Sequence, residues 1–146
     1  MRKIADIMSA DCTTISPQGS IKEAAELMKQ HDIGFIPVID GRKLIGVVTD
    51  RDLVIRGYAN NHDGSTSVSE VLSDNVRTVS PDVSVDEAAS IMSSGQIRRL
   101  PVVENGHLIG VVSLGDLAIR EIFVNEAGEA LSGISEHEGQ SSSFAH

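Results

Sequence analysis

The sequence predicts an α/β protein of the α+β type, made of two tandem copies of one strand–helix–strand–strand–helix (β-α-β-β-α) unit. Three observations carry this. Setting Pro17 on Pro81 aligns Ile4–Gly57 with Val68–Glu121 without a gap, and about two-fifths of the aligned positions are identical. Each copy has a Ser-x-x-Glu signal ahead of apolar residues at helical spacing. Each copy then has two short Val/Ile-rich runs around a turn, the pattern of a hairpin.

Taken in order, each unit begins with a short apolar run, Thr14-Ile15 in the first and Thr78-Val79 in the second, that stops at Ser-Pro. Ser20-Ile21-Lys22-Glu23 and Ser84-Val85-Asp86-Glu87 read as capping boxes, with Ser as N-cap and Glu three residues on. Ile21, Ala24, Ala25 and Met28, and then Val85, Ala88, Ala89 and Met92, place an apolar stripe on the helix that follows. Phe35–Ile39 and Leu44–Val48 flank Asp40-Gly41-Arg42-Lys43, while Leu100–Val103 and Leu108–Val112 flank Glu104-Asn105-Gly106-His107. These strands are nearly continuous in Val and Ile, so both faces are expected to be covered. A helix closes each unit, from about Asp50 to Arg56 and from about Leu114 to Phe123. The organisation is therefore residues 1–57 as unit 1, 58–67 as linker, 68–123 as unit 2, and 124–146 as a partly disordered extension. Within that extension, Glu126 to Ile134 is compatible with a short helix.

Composition narrows the function. A net charge of −9 over 146 residues argues against a nucleic-acid-binding face. No apolar run is long enough to span a bilayer or to form a signal-peptide core, so a cytoplasmic protein is expected. The single cysteine, Cys12, allows no internal disulfide, and its counterpart Val76 suggests a small apolar position rather than a nucleophile. The five histidines have no metal-ligand spacing, and neither unit contains a Gly-rich phosphate loop or a nucleophile elbow. No catalytic residues, metal ligands or required cofactor are expected.

The chemistry-bearing stretch is Gly46-Val47-Val48-Thr49-Asp50-Arg51-Asp52, which returns as Gly110-Val111-Val112-Ser113-Leu114-Gly115-Asp116. It reads as a strand running into a helix N-terminus, where unpaired N–H groups and the positive end of a dipole favour a sugar diol or a phosphate. Asp52 and Asp116 suit the two hydroxyls of a ribose, and Thr49 and Ser113 suit a phosphate oxygen or a hydroxyl. The same Thr/Ser-x-x-Asp spacing also works as a plain helix cap. Arg51 in the first copy, and Arg98 and Arg99 ahead of Leu100-Pro101-Val102, are the candidate phosphate-binding cations. Arg98 and Arg99 alternate on a strand, so one of them is expected to enter a given cleft. The remaining candidate contacts, for an adenine ring and its surroundings, are Thr14, Ile15, Ile33, Gly34, Phe35, Ile36 and Pro37, with Thr78, Val79, Ile97, Leu100 and Pro101 in the second unit.

On these features the chain resembles a tandem CBS-domain pair, or Bateman module, of the small stand-alone kind found in prokaryotes. The resemblance covers about residues 4–121 and rests on the Pro-Val strand, the Leu-Ile-Gly-Val-Val strand and the Thr/Ser-x-x-Asp junction of each copy. It implies two units packed sheet to sheet about a pseudo-twofold axis, with two clefts that commonly hold adenine nucleotides such as AMP, ADP or ATP, or else NAD or S-adenosylmethionine. The position just before the hydrophobe-Pro-Val often supplies a phosphate-binding His or Arg in that family. It also implies a regulatory module that signals to a protein target, with helix faces paired in a homodimer; the wide Ala/Met/Leu/Ile faces agree with such pairing. The alternative is a ligand-free dimerisation or scaffold module. The first copy, which has Arg51, is expected to be the better ligand site.

Overall fold

The structure, a computed structural model, describes residues 2–117. The end of the second closing helix, the short helix expected over Glu126 to Ile134 and the tail expected to be disordered therefore lie outside the described residues. Within them, the repeat folds as an α+β pair. Helix α1 (Ile21–His31), strands β1 (Phe35–Asp40) and β2 (Lys43–Thr49) and the short helix α2 (Asp50–Asp52) form the first unit. Helix α3 (Val85–Gly95) and strands β3 (Arg99–Glu104) and β4 (His107–Ser113) form the second, followed by a helical turn at 114–117.

Local chemistry accounts for these elements. Ser20 Oγ accepts from Glu23 N at 3.0 Å and Ser84 Oγ from Glu87 N at 3.1 Å, so the serine half of each capping box forms. Both helices end on a residue in the left-handed conformation, Asp32 and Gln96, each with φ of 54°. The next residue closes the turn, with Ile33 N and Ile97 N donating to Met28 O and Met92 O. In the second hairpin Asn105 and Gly106 both have positive φ, as a two-residue turn with the twist of its strands requires.

Three elements differ from expectation. The strand predicted before each Ser-Pro is a single bridge, Ile15 beside Val38 and Val79 beside Val102. A turn at Ser16–Gly19, carrying a proline with no N–H to donate, ends the pairing there. The helix expected from Asp50 to Arg56 widens after Asp52, where residues Leu53–Gly57 adopt the looser π spacing before a 3₁₀ turn at Tyr58–Asn60. Finally, the segment read as linker is tied down. Ile21 N and Lys22 N donate to Thr66 O and Gly64 O, which supplies acceptors for two N–H groups that the start of α1 leaves free.

The four strands form one antiparallel sheet in the order β1-β2-β4-β3. The central contact is a single pair, Lys43 opposite His107, flanked by Leu44 N to Gly106 O at 3.1 Å and Leu108 N to Arg42 O at 2.9 Å. Those two bonds link equivalent positions of the repeat in opposite directions, which is the signature of a pseudo-twofold relation.

The cores are exchanged. Ile15, Ala24, Met28, Ile36, Val38 and Val48 of the first unit pack with Val68 and Val71, which open the second copy. Val79, Ala88, Met92, Leu100, Val102, Val112 and Leu117 of the second unit pack with Ile4, which opens the first. The backbone follows the same exchange, since Ile4 N donates to Val83 O and Val68 N donates to Gly19 O, both at 2.8 Å. Each lead segment then pairs with the other unit's sheet, Ser9 on Val111 and Ser73 on Val47. Glycine makes that approach possible. A Cβ on Gly46 would lie 2.5 Å from the Ser73 carbonyl oxygen, and one on Gly110 would lie 2.7 Å from Met8 Sδ and 3.0 Å from Ser9 O.

Two predictions follow from this exchange. Ile4→Ala is expected to cost about 2–5 kcal/mol in denaturant unfolding. Its loss of hydrogen-exchange protection should fall on α3, in the second unit, rather than on α1. Gly46→Ala should cost about 1–3 kcal/mol, and more than Gly110→Ala, because it meets a backbone carbonyl at 2.5 Å, whereas at Gly110 the nearest atom belongs to a flexible methionine and the carbonyl stands at 3.0 Å. Equal costs for the two glycines in the same assay would contradict this.

Candidate functional site

A cleft of about 240 Å³ opens between the two units, and it draws on both of them. From the first copy come Ile33, Phe35 and Pro37 at and just before β1, together with Ser9, Asp11, Cys12 and Thr13 of its lead segment. From the second copy come Arg99, Val111, Ser113 and Asp116. The exchange explains why these meet. Docking Ser9 onto Val111 brings the lead segment to β4, and Asp11, Cys12 and Thr13 share the cleft with Ser113 and Asp116 of the strand-to-helix junction.

Each polar group there has an assigned position. Asp116 Oδ2 accepts from Ser113 N at 3.1 Å, and Ser113 Oγ accepts from Asp116 N at 3.0 Å. This reciprocal box holds the carboxylate, half-buried, at the start of the helical turn. Arg99 stands directly opposite Ser113 in the β3–β4 pairing and is half-buried at the cleft. Arg98 is exposed, and its carbonyl accepts from Leu114 N at 2.7 Å. Of the two arginines one enters the cleft, as strand alternation requires. Burial pushes the Cys12 thiol above its ordinary pKa; a backbone hydrogen bond opposes the shift, and the neighbouring Asp11 carboxylate adds a smaller push upward.

The first copy's junction is built alike and ends differently. Thr49 N donates to Asp52 Oδ2 at 3.0 Å, and Asp52 N donates to Thr49 Oγ1 at 3.1 Å. Here Ser73 Oγ also lies 3.2 Å from Asp52 Oδ1 and 3.3 Å from Oδ2. Asp52 is 8% exposed, the one buried charged residue among those described. Its carboxylate is satisfied within the protein, so the expectation that the first copy offers the better site does not match the geometry. Arg51, the reason for that expectation, is exposed and caps nothing beyond its own turn, where its N–H meets Asp50 Oδ1 at 2.8 Å.

Of the sequence candidates, Phe35, Pro37, Arg99, Ser113 and Asp116 line the cleft. Ile15, Ile36, Val79 and Leu100 belong to the hydrophobic cores instead, because alternate residues of a strand face opposite ways. Pro101 is fully buried, Gly34 faces the Asp50 side chain, and Thr14 and Thr78 stand outside the cleft lining. The lead-segment residues Ser9, Asp11, Cys12 and Thr13 were not among the candidates. One signal was available, since Ser9 and Ser73 are identical polar positions in the repeat. Among the described residues no group of His, Cys, Asp or Glu is arranged to hold a metal ion, and no helix is long and apolar enough to cross a membrane.

Two repeated α+β units with exchanged lead segments, and a mixed apolar and polar cleft between them, define a paired two-unit architecture. The chain belongs to the CBS-domain family, whose model matches residues 4–57 and 68–121. It is 44% identical to the CBS domain-containing protein YhcV of Bacillus subtilis over 135 residues, covering 92% of this chain and 96% of that protein. Among solved structures it is similar to the CBS-domain pair of protein MJ0100, solved with 5-methylthioadenosine and S-adenosyl-L-methionine. That match has a TM-score of 0.72 and 30% identity, covering 86% of this chain and 98% of the other. The structure of CBSX2 in complex with AMP, at 24% identity, shares the fold with a TM-score of 0.78, covering 86% of this chain and 99% of the other. The chain is thus a CBS-pair regulatory module.

Cys12 offers a direct probe of the cleft. Because its thiol titrates above the ordinary range, alkylation by iodoacetamide at neutral pH should be slower than for free cysteine and rise about tenfold per pH unit until the raised pKa is passed. A compound filling the cleft should slow it further. A rate equal to that of free cysteine, measured by mass spectrometry, would contradict the half-buried placement.

Proposed function

We propose that the cleft built on Ser113 and Asp116 binds an adenine nucleotide or a related adenosine compound, and that its occupancy is passed to a protein partner. The observation that carries this reading is the convergence of complementary groups from both units on one cleft. Asp116 is half-buried and suits a ribose diol, Arg99 suits a phosphate, and Phe35, Ile33 and Val111 supply apolar contact for a base. The adenosine compounds bound by the MJ0100 pair support the same class of ligand.

Charge narrows the class. Among the described residues the cleft lining has one guanidinium, Arg99, against two carboxylates, Asp11 and Asp116. A nucleoside or monophosphate is therefore favoured over a triphosphate, whose extra anionic groups would meet no further cation in that lining. Since the ligand would touch both units, it would favour one relative arrangement of them, and a partner that recognises this arrangement would read the ligand level.

Dimerisation fits the exposed apolar residues of the first closing segment. Val54, Ile55 and Tyr58, the last 83% exposed, lie on one helical stretch. We place a homodimer contact there, with the partner and the cytoplasm as the expected setting. The scaffold reading keeps one specific support, the closed capping box at Thr49 and Asp52, which needs no ligand.

A thermal-shift panel tests the proposal. AMP or S-adenosylmethionine at about 100 times its dissociation constant should add roughly 2.7 kcal/mol to folding stability, and ATP should need a higher concentration for the same effect. Asp116→Asn should remove most of that gain. If no adenosine compound raises the melting temperature of the wild-type protein, the scaffold reading replaces this one.

A further inference from the structure

The repeat places two copies of the same acidic junction in one chain, yet they differ in what the carboxylate meets. We propose that Ser73 is an internal latch that closes the first cleft, so that each chain takes up one nucleotide rather than two. The inference rests on the reading of the second cleft as a nucleotide site.

Three observations carry it. Ser73 Oγ lies 3.2 and 3.3 Å from the two oxygens of Asp52, so its hydroxyl occupies the place where a sugar hydroxyl would donate. Asp52 is correspondingly buried, at 8% exposed, whereas Asp116 is half-buried. Ser9 is the repeat counterpart of Ser73 and pairs with Val111 as Ser73 pairs with Val47, yet no hydrogen bond joins it to Asp116 among the described residues. Ser9 lines the open cleft instead.

The backbone around the latch holds it in place. Ser73 N donates to Val47 O at 2.8 Å, and Val47 N returns a bond to Ser73 O at 2.9 Å. Arg56 Nη1 donates to Leu72 O at 2.9 Å, tying the same segment to the turn that follows α2. A ligand hydroxyl must therefore displace a hydroxyl that is already positioned on the carboxylate, and it gains little by the exchange. The specificity of this chain for one site over the other then lies in a side chain rather than in the ligand-facing motif, which both copies share.

The first cleft would also differ in charge if it were opened. The counterparts of Asp11 and Thr13 are Asn75 and Arg77, so one carboxylate is lost and one cation gained. Both AMP and ATP are therefore used as probes.

Isothermal titration of the full chain with AMP, and separately with ATP, gives the stoichiometry, and backbone amide shifts locate the ligand. The wild-type protein should take up one AMP per chain, with shifts at Arg99 and Ser113–Asp116. Ser73→Ala should take up a second nucleotide, with new shifts at Thr49–Asp52. Ser73→Thr, which keeps the hydroxyl, should stay at one, and Ser73→Ala combined with Asp52→Asn should return to one. Two nucleotides per wild-type chain, or a Ser73→Ala stoichiometry unchanged in a protein that folds normally by circular dichroism, would overturn the latch and leave the second-cleft reading standing. If the wild type binds nothing while Ser73→Ala binds one nucleotide at Thr49–Asp52, the latch stands and the second-cleft reading fails. Binding by neither protein overturns both.

Discussion

The exchange of lead segments between the two copies is the constraint on which the rest of the structure depends. Ile4 is buried in the second core, and Val68 and Val71 are buried in the first, so neither unit has a complete interior without the other. A small α+β unit buries a limited share of its apolar surface, and borrowing a turn from a neighbour adds large aliphatic side chains where they contribute most. The same exchange carries Ser9 to β4 and Ser73 to β2. The cleft is thus a consequence of how the cores are completed.

This changes the meaning of the repeated Gly-Val-Val. As a sequence motif it points forward, to the hydroxyl and carboxylate at the helix start. In the fold its glycine serves the other side, leaving room for the backbone of the docked segment. The valines divide similarly. Val48 and Val112 fill the cores, while Val47 and Val111 pair with the incoming serines. One run of residues therefore supports packing, inter-unit docking and the candidate site, and a change at the glycine reaches all three.

The polar junctions illustrate how one local structure supports two chemistries. Thr49 with Asp52, and Ser113 with Asp116, form the same reciprocal box and satisfy the same helix-start N–H groups. Capping uses only one carboxylate oxygen. The remaining acceptor capacity is what a ligand could use, and its availability is decided by the segment that arrives from the other copy.

Much of the chain was legible from residue order alone. The repeat, the serine caps, the two hairpins, the buried Pro-Val strands and the alternation that sends one of Arg98 and Arg99 into a cleft all depend on short-range spacing, which the sequence displays directly. Phe35, Pro37, Arg99, Ser113 and Asp116 were identified on those grounds and meet in space. Other features came only with the tertiary structure. Ile4 packs away from its own repeat, the supposed linker anchors α1, and Cys12 lies at a cleft instead of in a core. The two copies also separate only at that level. Ser9 and Ser73 are the same residue at the same repeat position, so no local pattern distinguishes them. What distinguishes them is a hydroxyl a little over 3 Å from one aspartate and not bonded to the other, a distance set by long-range packing rather than by neighbours in the chain.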